Sequence, residues 1–351
     1  MTNLKKNLKF DNQFKMSLLI LMLITCLTKF DFVFACTRVL NADNGQAVLV
    51  GRTMDWYQDM KTNLIVYPRD IEREGMASVN PLKWTSKYGS IVATVFDAMT
   101  TDGMNEKGFA AHILWLDEAN YGARDKKLAG MSVALWAQFY LDNFQSVDEA
   151  VHFTEEKSFQ LEPLFYPGTQ DGINVHLALE DSKGDSAIIE YTDGVVHIFH
   201  NRNYVVLTNS PNFDQQLKNL EQYKGFGGDK SLPGTTDSLD RFVRATYYGM
   251  NLPKAKSTTE AITYLLSVVQ NISEPYGMSS AERPEIEPTI WRTVSDLTNR
   301  IYYFNSSINF NYIWTQLDKF NLATGSPIMK LDLSIDTSLT GDVSQKFKPI
   351  N

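Results

Sequence analysis

A cysteine that opens a mature chain can supply both halves of a nucleophilic attack. Its thiol attacks, and its own α-amine, with an unperturbed pKa of about 7.7–8.0, lies within reach of the sulfur and can take the proton near neutral pH. Cys36 is placed to become such a residue. Lys5, Lys6, Lys9 and Lys15 precede the apolar run Ser17–Leu27, and Val33-Phe34-Ala35 ends in the small residue that a signal peptidase reads. Residues 1–35 therefore read as a secretory signal peptide cleaved between Ala35 and Cys36, which would make the protein secreted or periplasmic. The apolar run is about half the length of a stable bilayer-spanning helix, so no membrane span is expected in the mature form. Of the two cysteines, Cys26 would leave with the leader and Cys36 would become the first residue. Two other readings of Cys36 compete. It could be an accident of position, or the acylated cysteine of a lipoprotein, since Val33-Phe34-Ala35-Cys36 is a partial lipobox. Lys29, Asp31 and the bulky Phe34 argue against the lipoprotein.

Four further residues could serve a cysteine nucleophile. Arg52 and Asp55 lie just past the short apolar segment Ala47–Val50, where loop residues converge on sites. A cation beside a thiol favours thiolate, and a carboxylate can orient an α-amine. From spacing alone the two read equally well as a surface ion pair. Asn209 ends the apolar strand Tyr204–Thr208 just before Pro211, so its amide could donate to an oxyanion or simply cap an Asx-turn. Arg241 and Arg244, three apart on an expected helix 237–250, share a face. Arg241 suits a pocket and Arg244 a solvated surface.

The elements that must position these groups follow from pattern. Residues 36–120 read as strands and turns, with Asp102–Gly108 as a hairpin turn between Ser90–Met99 and Phe109–Leu116. Residues 129–156 read as helical, with a capping box at Ser146-Val-Asp-Glu149. Hairpins return over 173–209. Helices follow at 213–223, 237–250 and 257–271, and strands close the chain over 289–335. Strands, helices, strands, helices, strands is an α+β order rather than βαβ alternation. The 351 residues are 43% hydrophobic and carry a net charge of -8, enough for a sizeable core in one domain, 36–351. Removal of the leader takes five Lys and two Asp and leaves a mature charge of -11. No basic stripe with interleaved aromatics occurs, so nucleic acid is not an expected partner. His197 and His200 fall on opposite faces of a strand, which disfavours a shared metal, and His112 reads as a core or pocket-lining residue. No HExxH, Walker A, GxGxxG or GxSxG motif is present, and no metal or cofactor is expected.

The motifs also resemble a family when taken in order. Cys36, Gly51-Arg-Thr-Met-Asp-Trp56, Asp102-Gly-Met-Asn-Glu-Lys-Gly108, Leu207-Thr-Asn-Ser-Pro211, Asp240-Arg-Phe-Val-Arg244 and Trp291–Phe304 resemble the choloylglycine hydrolase family of N-terminal-nucleophile amidases, which includes bile salt hydrolases and penicillin V acylases. The resemblance implies the four-layer αββα sandwich of two antiparallel sheets and hydrolysis of linear amides through a thioester. It implies Cys36, Arg52, Asp55, Asn209 and Arg241 as catalytic residues and a homotetramer as the assembly. Trp115 stands where bile salt hydrolases of the family carry Asn and penicillin V acylases often carry Tyr. With Trp56 and Tyr57 it suggests an apolar acyl pocket, suited to penicillin V or N-acyl homoserine lactones, although these aromatics could equally be core. A bile salt hydrolase and a lipid-anchored binding protein on the same fold are the alternatives.

Overall fold

The computed structural model describes residues 36–165, 172–278 and 287–350; the leader expected over 1–35 lies outside the described residues. In chain order the elements open with strands β1 (Cys36–Asn41), β2 (Leu49–Asp55), β3 (Leu64–Tyr67), β4 (Glu72–Glu74), β5 (Lys83–Thr85), β6 (Ser90–Val95), β7 (Met99–Asn105), β8 (Ala110–Trp115) and β9 (Ala129–Ser132). Helices α1 (Trp136–Asn143) and α2 (Val147–Glu155) follow, then β10 (Phe159–Glu162), β11 (Val175–Glu180), β12 (Ser186–Thr192), β13 (Val195–His200) and β14 (Val206–Leu207). Helices α3 (Phe213–Leu220), α4 (Ser238–Met250) and α5 (Thr258–Asn271) come next. The chain closes with β15 (Thr289–Asp296), β16 (Ile301–Ser306), β17 (Ile313–Gln316), β18 (Ile328–Leu331), β19 (Gly341–Asp342) and β20 (Lys348–Ile350).

Two sheets dominate. One has the order β14-β1-β2-β15-β16-β17-β19 and the other β13-β12-β11-β8-β7-β6-β3-β18-β20. Neighbouring strands pair antiparallel except β17 with β19. Helices α4 and α5 pack on β1 and β2 of the first sheet, and α1 packs on β7 and β8 of the second. The two sheets meet face to face between these helical layers, which is the expected αββα sandwich. Strands such as β2, β6, β7, β8 and β11 are buried at every position because each has a sheet on one face and helices on the other.

Local signals held where chemistry is local. Ser146 caps α2 and Ser257 caps α5, each accepting from the backbone N–H three residues on. Asn105 Oδ1 accepts from the N–H groups of Lys107 and Phe109, and Gly108 takes φ +73°, so the turn joining β7 to β8 runs over 105–109. The expected turn at Asp102 is corrected by this: Asp102 and Gly103 lie inside β7, fully buried. The segment 129–132 is likewise strand rather than helix, because β9 pairs in parallel with β10. Arg52 and Asp55 lie within β2, not beyond its end, since the strand pairs with β1 as far as Met54 and with β15 through Asp55, across a register shift between Thr289 and Trp291.

Gly51 in β2 shows how tightly the helical layer seats. A Cβ there would lie 2.5 Å from Val269 Cγ2 and 3.2 Å from Leu265 Cγ on α5. Gly51→Ala should push α5 off the strand and lower stability by about 1–3 kcal/mol, the usual cost of overpacking. Chemical denaturation checks this, and an unchanged midpoint would show that α5 has room to move.

Candidate active site

The register of β1 and β2 determines which groups share a space. Cys36 pairs with Met54 and Arg38 with Arg52. Alternation along the strands turns Cys36, Arg38, Arg52 and Met54 toward the second sheet, and Thr37, Thr53 and Asp55 toward the helical side. Arg52 and Asp55, three apart on a strand, therefore face opposite ways, and both are fully buried. This overturns the surface ion pair that their spacing alone allowed.

Cys36 is 4% exposed, and its Sγ lies 3.6 Å from Met54 Sδ and 4.0 Å from Arg52 Nη2. The Arg52 guanidinium is held on three sides. Nη1 donates to the Thr101 carbonyl at 2.8 Å, Nη2 to the Ile113 carbonyl at 2.5 Å, and its carbon sits 5.1 Å from the centre of the Trp291 ring. Arg52 Nη1 also lies 3.4 Å from Asp102 Oδ2. Burial pushes the Cys36 thiol up to about 11, with Arg52 the largest opposing influence and Asp55 adding to the rise. The cation beside the thiol was expected to favour thiolate; it does act in that direction, but desolvation outweighs it.

Asn209 follows β14 and carries the contacts to the backbone of Cys36. Its Oδ1 accepts from Cys36 N and, at 3.1 Å, from Arg241 Nη2, while Nδ2 donates to the Trp115 carbonyl at 3.0 Å. The Asn209 backbone is itself fixed, its N–H donating to Ser238 Oγ at 2.9 Å and its carbonyl accepting from Gln216 Nε2 at 2.6 Å. Arg241, on α4, is fully buried below this point and is not among the residues that line the cavity at Cys36. Its Nη1 donates to the Cys36 carbonyl at 2.7 Å and to Thr37 Oγ1 at 2.6 Å, so it clamps the start of β1. Arg244, half-buried, donates to the Thr235 carbonyl at 2.7 Å on the far side.

Asp55 occupies a different place from the one expected. Its carboxylate accepts from Thr53 Oγ1 at 3.1 Å and from Thr289 Oγ1, whereas the Cys36 nitrogen, an amide in the uncleaved chain, is taken by Asn209. Asp55 reaches Cys36 through its charge and through its own backbone N–H, which donates toward the thiolate form. Burial raises its carboxyl to about 6, against the pull of Arg241.

The sulfur opens on a cavity of about 510 Å³ lined by Met54, Met60, Val95, Met99, Ile113 and Leu114 among others. Trp56 and Trp115 stand at the Cys36 end, ring centres 6.0 Å apart, and Trp115 Nε1 donates to Asp117 Oδ1 at 2.6 Å. Both tryptophans are thus at the site. Tyr57, stacked on Trp56, lines an adjoining cleft of about 770 Å³ of mixed character, with Gln58, Asp59 and Lys61 beside Ile290 and Phe304. Met54 and Trp291 were not foreseen, although both belong to motifs read from the sequence; strand alternation applied to 51–56 would have placed Met54 beside Cys36.

Residues 36–330 match the family described as linear amide C–N hydrolases, choloylglycine hydrolase family. The chain belongs to that family. It is an amidohydrolase, and the match opens at Cys36 itself. The chain is 42% identical over 339 residues to a penicillin V acylase of Pectobacterium atrosepticum, covering 90% of each. It is 26% identical over 302 residues to a bile salt hydrolase/transferase of Clostridium perfringens, covering 78% of this chain and 90% of that one. Among solved structures, a penicillin V acylase from Agrobacterium tumefaciens is similar at 42% identity with a TM-score of 0.83, covering 90% of this chain and 98% of that one.

The raised Asp55 carboxyl has a consequence for stability. The folded protein binds this proton more tightly than the unfolded chain, whose carboxyl titrates near 3.9. The contribution of Asp55 is therefore full below about pH 4 and is lost as pH rises through about 6. Asp55→Asn should flatten that part of the curve of unfolding free energy against pH, measured by urea titration from pH 4 to 7. Equal slopes in both proteins would place the Asp55 carboxyl back at its ordinary value.

Proposed function

We propose that this hydrolase is an acylase for amides of apolar acids, of the penicillin V or N-acyl homoserine lactone type, with Cys36 as an N-terminal nucleophile. The observation that carries the reading is the convergence at one residue. The nitrogen of Cys36 rests on Asn209 Oδ1 while its Sγ faces an apolar cavity between Trp56 and Trp115. The 42% identity to a penicillin V acylase, against 26% to a bile salt hydrolase/transferase, supports the same choice. The alternative, a conjugated bile salt hydrolase, has the weaker support.

Cleavage after Ala35 frees the α-amine. With burial raising the thiol, proton transfer to that amine is what makes the sulfur nucleophilic near neutral pH. Sγ attacks the amide carbonyl carbon, and the oxyanion accepts a backbone N–H and the second Nδ2 hydrogen of Asn209, the first being held by the Trp115 carbonyl. The C–N bond breaks as the α-ammonium returns its proton to the leaving amine, giving a thioester. Water, deprotonated by the same amine, releases the acid and restores the thiol. Arg52 offers positive charge beside the sulfur, and Asp55 adds a carboxylate on the other side of β2. Arg241 holds Cys36 and Asn209 in register. Export of the chain as a secreted or periplasmic protein and assembly into a homotetramer belong to the same reading.

Cys36→Ser should retain the fold and lose at least about a hundredfold in amide hydrolysis, a change set by the weaker nucleophile. Full retained activity would remove the thiol from the mechanism. Amine release across penicillin V, an N-acyl homoserine lactone and glycodeoxycholate should favour the first two. Trp115→Ala should raise KM for them more than it lowers kcat, and preference for glycodeoxycholate would decide for the bile salt alternative. N-terminal sequencing with intact mass should find an unmodified Cys36 terminus; a diacylglyceryl adduct would instead identify a lipid-anchored protein.

A further inference from the structure

Behind Arg52 lies a row of buried charges that the reaction as described does not use. Arg52 Nη1 is 3.4 Å from Asp102 Oδ2, Asp102 Oδ2 is 2.7 Å from His112 Nδ1, and His112 Nε2 is 2.9 Å from Glu180 Oε2. Glu180 Oε1 in turn is 2.6 Å from Arg38 Nε, and Tyr302 donates its hydroxyl hydrogen to Asp102 Oδ1. Each side chain in the row is fully buried. The row runs across both sheets, from β2 through β7, β8 and β11 back to β1, with Tyr302 entering from β16. Charge alternates strictly along it: arginine, carboxylate, imidazole, carboxylate, arginine. Two carboxylates flanking one ring, with Arg38 already paired to the outer one, call for a cation at position 112. Burial alone would hold the ring neutral, but Glu180 and Asp102 overcome it and raise His112 to about 9.

The position of the imidazolium matters for the sulfur. Asp102 is the only carboxylate that touches Arg52 among the described residues. A carboxylate committed to Arg52 alone would draw that guanidinium toward itself and cancel its field at Cys36. Here the same oxygen is 0.7 Å nearer to His112 than to Arg52 (2.7 against 3.4 Å), and the other oxygen is taken by Tyr302. Arg52 is left to the carbonyls of Thr101 and Ile113, with Nη2 on the side of Sγ.

We propose that His112, held as imidazolium between Asp102 and Glu180, is a positioning residue that takes up the Asp102 carboxylate and leaves the charge of Arg52 directed at the Cys36 sulfur. The proposal deepens the reading of Cys36 as nucleophile and rests on it. His112 touches no reacting atom; it acts through Asp102 and Arg52. The groups that face it are Asp102 from β7 and Glu180 from β11, with Arg52, Arg38 and Tyr302 one step further out.

The test is a double-mutant cycle read on the processed enzyme by the pH dependence of Cys36 alkylation with iodoacetamide, alongside kcat and KM for amide hydrolysis. His112→Gln retains a hydrogen-bonding side chain without the charge. It should slow alkylation at pH 7 about tenfold by moving thiol ionisation to higher pH, and should lower kcat with little change in KM. Asp102→Asn leaves Arg52 on its two carbonyls and should move thiol ionisation the opposite way. In the Asp102→Asn background, His112→Gln should have less than about a third of its effect, because the route through Asp102 is gone. An unshifted alkylation profile in His112→Gln, or equal shifts in both backgrounds, would overturn the proposal. Should His112→Gln fail to fold, an Asp102→Asn profile that does not move to lower pH does the same. If alkylation shifts as expected while amide hydrolysis stays at the parental rate, the positioning of the thiol stands and the assignment of Cys36 as nucleophile fails.

Discussion

The site depends on the antiparallel register that joins the first strand of the described chain to the second. Cys36 lies opposite Met54 and Arg38 opposite Arg52. Strand alternation then sorts seven neighbours into two groups, thiol, thioether and two guanidinium groups on the sheet-to-sheet side and Thr37, Thr53 and Asp55 on the helical side. A slip of one residue would exchange the two sets and put Asp55 against the cavity and Arg52 under the helices. Gly51 on β2 and Arg241 on α4 guard against that slip. The first leaves no room for a side chain beneath α5, and the second bonds to the Cys36 carbonyl and the Thr37 hydroxyl at once.

Burial of so much charge carries a cost that the arrangement visibly offsets. Arg38, Arg52, Arg241, Asp55, Asp102, His112 and Glu180 are all withdrawn from solvent. Isolated, each would be strongly destabilising; held by ion pairs or hydrogen bonds, they constrain the space between the sheets more than they strengthen it. The guanidinium of Arg52 is satisfied by strand carbonyls from the opposite sheet, so its position is tied to how the two sheets meet. Cys36 sits at the boundary between this polar interior and the apolar cavity. One side of Cys36 faces fixed charge, and the other faces methionine, isoleucine and tryptophan, where an acyl group can displace water.

The raised thiol follows from the same geometry. Desolvation by burial acts on the sulfur more strongly than one arginine 4.0 Å away. A cysteine in this setting needs a base, and a residue that gains its own amine on processing carries that base with it. Asn209 holds the Cys36 nitrogen, where the α-amine of the proposed processed form would lie.

Much of this was legible in the sequence. The pattern of strands and helices gave the α+β order, and motif order gave the family and the candidate residues Cys36, Arg52, Asp55, Asn209, Arg241, Trp56 and Trp115. Turn and cap residues such as Asn105, Gly108, Ser146 and Ser257 act locally, and for that reason a short stretch of chain specifies them. The side of the strand that each residue faces was not read, nor were the inward extent of β2 and β7, the contacts of Asp55, or the partnership of His112 with Asp102 and Glu180. Those are decided by pairings between residues as far apart as 234 positions, as with Thr289 and Asp55, and by burial that exists only once two sheets close on each other. The sequence determined which chemistry the chain carries; the packing of the sheets decided which charges see the sulfur, because distance and desolvation are properties of the closed interior.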